Sequence, residues 1–242
     1  EPYIPSFFGW EGLKAGDLRL PANPLAPVII APNIGSYVGG DITAGTLATG
    51  LWDKDEMGLF IDLGTNGEIV FGNRDFMMSC ACSAGPAFEG GDISCGMRAT
   101  DGAVEAATID KDTMEPTLSI IGEPGQKVVG ICGSGIVDLL AELYLEDILD
   151  FRGKFIPENS QRMEFLEGEW AFRYAEGLYF YQSDIDQFIA TKAAAHTMVE
   201  YMMQKIGLSM DEVGKFYLAG AFGTHIRIPS GVTIGLYPDI PQ

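Results

Sequence analysis

Apolar residues recur along this chain in two rhythms, and each predicts a different element. Between residues 59 and 80, three short apolar runs (59–63, 68–71 and 76–80) alternate with the turn residues Thr65-Asn66-Gly67 and Gly72-Asn73-Arg74-Asp75. Asn-Gly supplies the positive φ that a tight hairpin needs. The stretch therefore predicts a meander of three antiparallel strands, with Asp62 as the one polar interruption of its first run. Weaker strands are expected near 104–109 and 118–121. The segment VVGICGSGIVDLLAELYLEDILD reads as a strand, a Gly-Ser-Gly turn and a helix. Ile136, Leu140, Leu143 and Ile148 share a face of that helix, and Ser134 is placed to cap its start.

The longest helical pattern begins at Asp184, a fair N-cap. Ile185, Ile189, Ala193, His196, Val199, Met203 and Ile206 step by three or four toward Gly207, where a C-terminal glycine belongs. The run KFYLAGAFGTHI then predicts a buried strand entering a Gly-rich turn. Upstream, Ile42, Leu47 and Leu51 recur among small residues, so a short, closely packed helix is expected with Asp41 as its N-cap. Residues 1–36 are rich in Pro and Gly and read as an irregular entry segment with one strand at 27–31. Residues 151–181 read as a β-rich insertion. The expected organisation is a single lobe over 1–242, cut from a longer chain.

Composition narrows the class. Hydrophobic residues are 47% and charged residues 20% of the 242, too apolar for a disordered chain. No window holds about 18 uninterrupted apolar residues, so no membrane span is expected. Against 34 acidic residues stand 15 basic ones, a formal charge of −19. That balance argues against nonspecific binding of nucleic acid or anionic lipid. It suits a cytoplasmic protein, or one that docks a basic partner surface. The four cysteines, Cys80, Cys82, Cys95 and Cys132, match neither a zinc ribbon nor a ferredoxin spacing, and are expected as buried thiols.

Three segments could carry chemistry. In the first, Asp62-Leu63-Gly64-Thr65-Asn66-Gly67-Glu68, an Asp inside an apolar strand is costly without a partner or a task. A hydroxyl, an amide and free N–H groups at the turn can cradle phosphate oxygens, and the Asp can orient Mg²⁺ through water. A plain Asn-Gly hairpin with a satisfied Asp accounts for the same residues. The second segment is Gly133-Ser134-Gly135, where a helix N-terminus favours an anion; an ordinary capped helix start is the alternative. In the third, Leu218-Ala219-Gly220-Ala221-Phe222-Gly223, a strand ending in small residues lets a flat ring lie on the backbone. Glu89 and Asp92 could form a general-base pair for an attacking water. Lys192 is a candidate phosphate partner, His196 reads as a core histidine, and His225 follows the third segment.

Together the three segments stand in the order found in the second lobe of actin-like ATPases. The fold class expected is α/β: an actin-like (ribonuclease H-like) ATPase lobe, a mixed sheet with an antiparallel meander and flanking helices. A narrower resemblance covers nearly the whole chain. PNIGSYVGGDITAG, FIDLGTNGEIVFG, CSAGPAFEGGDISCGM, GICGSGIVDLLAEL, QSDIDQFIATKAAA, FYLAGAFGTHI and IGLYPDIP follow one another as in the C-terminal region of the ATP-dependent reductive activators of corrinoid proteins. That family serves methyltransferase, O-demethylase and acetyl-CoA pathway corrinoids in one-carbon metabolism.

The resemblance implies ATP and Mg²⁺ as cofactors and a corrinoid protein as partner, with a homodimer possible. It also implies ATP-driven reduction of Co(II) corrinoid to Co(I), with an iron–sulfur cluster in an N-terminal domain upstream of these residues. By the same resemblance Asp62, Gly64, Thr65, Asn66 and Gly67 would contact phosphate or metal, with Asp62 at the Mg²⁺. Gly133, Ser134 and Glu89 would lie near the phosphates, Glu89 with Asp62 in a catalytic role. Gly220, Ala221 and Gly223 would face adenosine. Two other readings fit the same motifs: a small-molecule kinase of the same superfamily, and a non-catalytic module for docking or dimerisation.

Overall fold

The computed structural model describes residues 12–35, 37–64, 66–82, 90–220 and 223–239, with Cys82 given by its backbone alone. Helix α1 (Gly40–Thr49) is followed by β1 (Gly58–Leu63), β2 (Gly67–Gly72) and β3 (Met77–Cys82). Next come β4 (Ala103–Ile109), β5 (Pro116–Ile120), β6 (Gly130–Ile131) and α2 (Gly133–Leu145). The chain continues through β7 (Met163–Leu166), β8 (Glu169–Ala175), β9 (Leu178–Tyr181) and α3 (Gln182–Ile206), ending in β10 (Lys215–Ala219) and α4 (Ile228–Thr233). The described residues fall into two compact units, one from 1–62, 67–82 and 198–219, the other from 63–66, 83–197 and 220–242.

The first unit is built on a four-stranded sheet in the order β10-β1-β2-β3. β10 runs parallel to β1, and β2 pairs antiparallel with β3, so the sheet is mixed and holds the expected meander. Val38, Ile42, Leu51, Phe60 and Val70 form its buried core. A Cβ at Gly45 would lie 2.5 Å from the Phe60 ring, so α1 reaches the sheet only because that position is glycine. Asn73 closes the β2–β3 turn by accepting the Asp75 amide and donating to the Asp55 carbonyl. The apolar run of β10 predicts a buried strand, but β10 lies at one edge of the sheet. Its residues are half-buried or exposed.

In the second unit, β5-β4-β6 form one three-stranded sheet and β7-β8-β9 another. Helix α2 buries Ile136, Val137, Leu139, Leu140 and Leu143. A Cβ at Gly135 would run into the Val104 carbonyl of β4, so this glycine serves the close approach of helix to strand. Residues 90–97 are stitched to β6, since Met97 N–H donates to the Ile131 carbonyl and Ile131 N–H to that of Cys95. In the 163–181 sheet, Phe172, Tyr174 and Phe180 are fully enclosed.

Several expected details differ. Residues 27–31 form no strand; Pro27 makes only an isolated bridge with Lys14, and Ile29 is 79% exposed. Prolines at 24, 27 and 32 remove the amides that a ladder would need. Asp41 and Ser134 do not cap their helices. Gly39 and Cys132 stand at those N-caps without side-chain bonds, and the Ser134 hydroxyl lies 3.3 Å from the Cys132 sulfur. Ile148 is buried but lies beyond the end of α2. Asp184 sits inside α3 rather than at its N-cap. Its carboxylate accepts from the Tyr181 amide and from both the amide and hydroxyl of Ser94. Gly207 ends α3 with φ +71°, as expected. Of the cysteines, Cys132 is buried whereas Cys80 and Cys95 are half-buried.

Candidate functional site

Asp62 lies near the end of β1, in register with Ala219 of β10. It is half-buried, and Asp41 in the first turn of α1 and Glu68 in β2 are its electrostatic neighbours. Loss of hydration raises the Asp62 pKa, and the Asp41 charge raises it further. Glu68 is pushed up in the same way, first by burial and then by Asp41 and Asp62. Among the described residues, none of the three carboxylates forms an ion pair with a cationic side chain. Such a concentration of negative charge fits a hydrated divalent cation, which needs few direct protein ligands. Asp41 and Glu68 are members of this group that the sequence does not single out. Glu68 alternates with the apolar residues of its strand and looks like a solvated position, and Asp41 looks like a helix cap.

The chain turns after β1 at Gly64, whose amide donates to the Asn66 carbonyl at 2.9 Å. Asn66 is exposed. Gly67, expected in the turn, opens β2 opposite Cys82. Thr65 lies outside the described residues, as do Glu89 and Ala221.

At the start of α2, Gly133, Ser134 and Gly135 are all buried, and the N-cap residue Cys132 contributes no side-chain hydrogen bond. The first intrahelical bond runs from Ile136 N–H to the Cys132 carbonyl. Amides ahead of it have no intrahelical acceptor, and no acidic side chain occupies the first turn. A buried helix start with unclaimed donors and no competing carboxylate fits phosphate oxygens. The start of α2, taken within its own unit, therefore fits phosphate oxygens.

The third segment turns at Gly220, φ +89°, where the Thr224 amide donates back to the Gly220 carbonyl. Gly223 is buried. Just beyond it, an ion pair between an exposed arginine and an enclosed aspartate links the start of α4 to α2. Arg227, the N-cap residue of α4, reaches Asp138 at 2.7 Å, with Asp138 almost fully enclosed. An Asp within IVDLLAEL is the same kind of sequence signal as the Asp in β1; it marks Asp138 but not its partner. At the other end of α4, Lys192 donates to the Ile234 carbonyl at 2.7 Å, and burial lowers its pKa. That bond gives Lys192 a helix-capping task in place of the phosphate contact considered for it. His196, expected in the core, is exposed on α3; His225 and Asp92 are exposed too.

Among the described residues, no three His, Cys, Asp or Glu side chains converge as a metal set, and no helix is long and apolar enough to cross a membrane.

Comparison with known proteins adds to this geometry. A family model described as the C-terminal domain of RACo, the ASKHA domain, matches residues 56–242, and one described as the RACo middle region matches residues 1–54. The corrinoid activation enzyme RamQ of Eubacterium limosum is 35% identical over 244 residues, covering 94% of this chain and 40% of that protein. A [Co(II) methylated amine-specific corrinoid protein] reductase of Methanosarcina barkeri is 23% identical over 229 residues, covering 87% of this chain and again 40% of the relative. A solved reductive activator for corrinoid, iron–sulfur protein matches 99% of this chain and 39% of its own, with TM-score 0.83 and 40% identity. The chain thus spans about 40% of the length of these curated relatives. With its mixed sheet and flanking helices, it belongs to the family of the RACo C-terminal ASKHA domain, the actin-like region of the reductive activators of corrinoid proteins.

Proposed function

We propose that this chain is the ATP-binding portion of a reductive activator that returns a protein-bound corrinoid from Co(II) to Co(I). The observation that carries the reading is the buried, uncapped start of α2 at Gly133–Gly135 within an ASKHA domain whose relatives are named for corrinoid activation. Hydrolysis of bound ATP supplies the free energy for an uphill one-electron reduction. An iron–sulfur cluster in another part of the protein would supply the electron, and cobalt in the partner's corrinoid would accept it.

The chain's own residues bind and orient. Asp62, with its raised pKa, would hold hydrated Mg²⁺, whose charge would offset part of the electrostatic cost of that carboxylate. The Gly64–Gly67 turn would contact phosphate through Thr65 and Asn66, since the Gly64 amide is already given to the Asn66 carbonyl, and the amides of Gly133 and Ser134 would receive phosphate oxygens. Gly220, Ala221 and Gly223 provide small residues against which adenosine lies. Glu89 orients the attacking water. The acidic surface, −19 overall, suits a partner with a basic docking face.

The test is a reduction assay on the full-length protein with its corrinoid protein and a low-potential one-electron donor, following the Co(I) absorbance. The expected result is Co(I) formation that requires ATP and that Asp62→Ala reduces by about tenfold or more, the loss expected when a charge-assisted contact is removed. Equal reduction without ATP would contradict the proposal. So would ATP consumption that ends in phosphorylation of a small molecule, the outcome expected of a kinase.

A further inference from the structure

The ion pair between Arg227 and Asp138 has a cost that packing does not explain. Asp138 is 1% exposed, and neither of its carboxylate oxygens makes a hydrogen bond apart from its pairing with Arg227. The Arg227 side chain is 45% exposed, so the desolvation cost falls on the aspartate, and removing Arg227 would strand that buried charge. The pair does provide fixed geometry. Arg227 Nε meets Asp138 at 2.7 Å while Nη2 donates to the Ala107 carbonyl of β4 at 3.1 Å and approaches Glu142 at 3.7 Å. Glu142 in turn accepts the Ile109 amide at 2.9 Å. One guanidinium thus fastens a single point of the chain to both α2 and β4.

The position of that point matters. Asp138 is four residues after Ser134, so the two share a face of α2 one turn apart. Arg227 is four residues after Gly223, and the intervening Ile226 is buried. The pair therefore sits one short step from the candidate phosphate segment on one side and from the candidate adenosine turn on the other. Lys192 holds the far end of α4 through the Ile234 carbonyl, so the helix after the turn is anchored at both ends.

We propose that Arg227 and Asp138 are positioning residues that set the spacing between the amino end of α2 and the glycines at 220 and 223, so that one nucleotide engages both. This rests on the nucleotide reading above. Its signature is a chelate effect: a ligand that spans both segments gains from their fixed separation, whereas a ligand that engages one does not.

The test uses the full-length protein and three probes, Mg-ATP, adenosine and inorganic triphosphate, in equilibrium titrations. Because Arg227→Ala alone could unfold the unit by stranding Asp138, the informative variant is the apolar pair Asp138→Leu with Arg227→Met, checked for wild-type thermal stability. The expected result is ATP binding weakened by on the order of tenfold or more, with adenosine and triphosphate affinities unchanged. Arg227→Lys, which keeps the charge but loses the fork, should fall between. If the stable double variant binds ATP like the wild type, or loses all three ligands equally, the proposal is overturned. If the wild-type protein binds ATP with no dependence on Asp62, the nucleotide reading fails first and the positioning role falls with it.

Discussion

Asp62 is a residue whose charge is unfavourable for folding. Its pKa is raised in the folded chain by burial and by Asp41, so the native state holds the proton more tightly than the unfolded state does. Stability then falls as pH rises from the ordinary carboxylate range through the raised folded value, and above that value the ionised Asp62 is a net cost. Asp62→Asn should therefore raise the melting temperature at neutral pH. The gain should fade as pH drops below the ordinary carboxylate range, where the wild-type side chain is already protonated. A thermal melt series over pH reads this directly; a variant less stable at neutral pH would mean that Asp62 has a stabilising partner. Asp184 differs in its hydrogen bonding. It is buried but accepts three hydrogen bonds, from the Tyr181 amide and both Ser94 donors, so its charge is satisfied.

At the scale of elements, the glycines at packing contacts carry the strongest constraint. Gly135→Ala would drive a methyl group into the Val104 carbonyl and the Ile131 side chain, separating α2 from β4. The expected cost is about 1–3 kcal/mol, read as a shift in denaturant midpoint without a change in slope. A neutral result would mean that the helix start can slide. Strand periodicity was legible in the sequence, because Asp62 and the two turns punctuate it. The meander appears as β1, β2 and β3 within a residue or two. The face of α3 was less legible. Its inward positions include Ile185, Phe188, Lys192, Ala195, Val199, Met202 and Ile206, and stepping from Ile189 rather than Phe188 carries the stripe onto exposed Ala193 and His196. Both steps satisfy a helical period. Only packing tells which is used, and Lys192 at an inward position disguises it. The caps mislead for a related reason. Asp41 and Ser134 are the residue types that cap, but each lies inside the first turn of its helix.

For the whole molecule, fold and family were legible in the order of the motifs. A DLGTNG turn, a GSG helix start and an AGAFG turn are each weak alone, and their succession along one chain is the signal. The partnerships among side chains distant in sequence were not legible. Asp138 and Arg227 lie 89 positions apart by their numbers, and nothing local to either announces the other. The carboxylate group of Asp41, Asp62 and Glu68 likewise exists only once α1 packs on the sheet.

The central proposal is that this part of the protein binds a nucleotide and that the binding depends on Asp62. The most direct measurement is isothermal titration of the full-length protein with Mg-ATP and a nonhydrolysable analogue, beside the Asp62→Ala variant. Both ligands should bind the wild type and bind the variant at least about tenfold more weakly, as removal of a charge-assisted contact requires. Undiminished binding by the variant, with unchanged stoichiometry, would contradict the account.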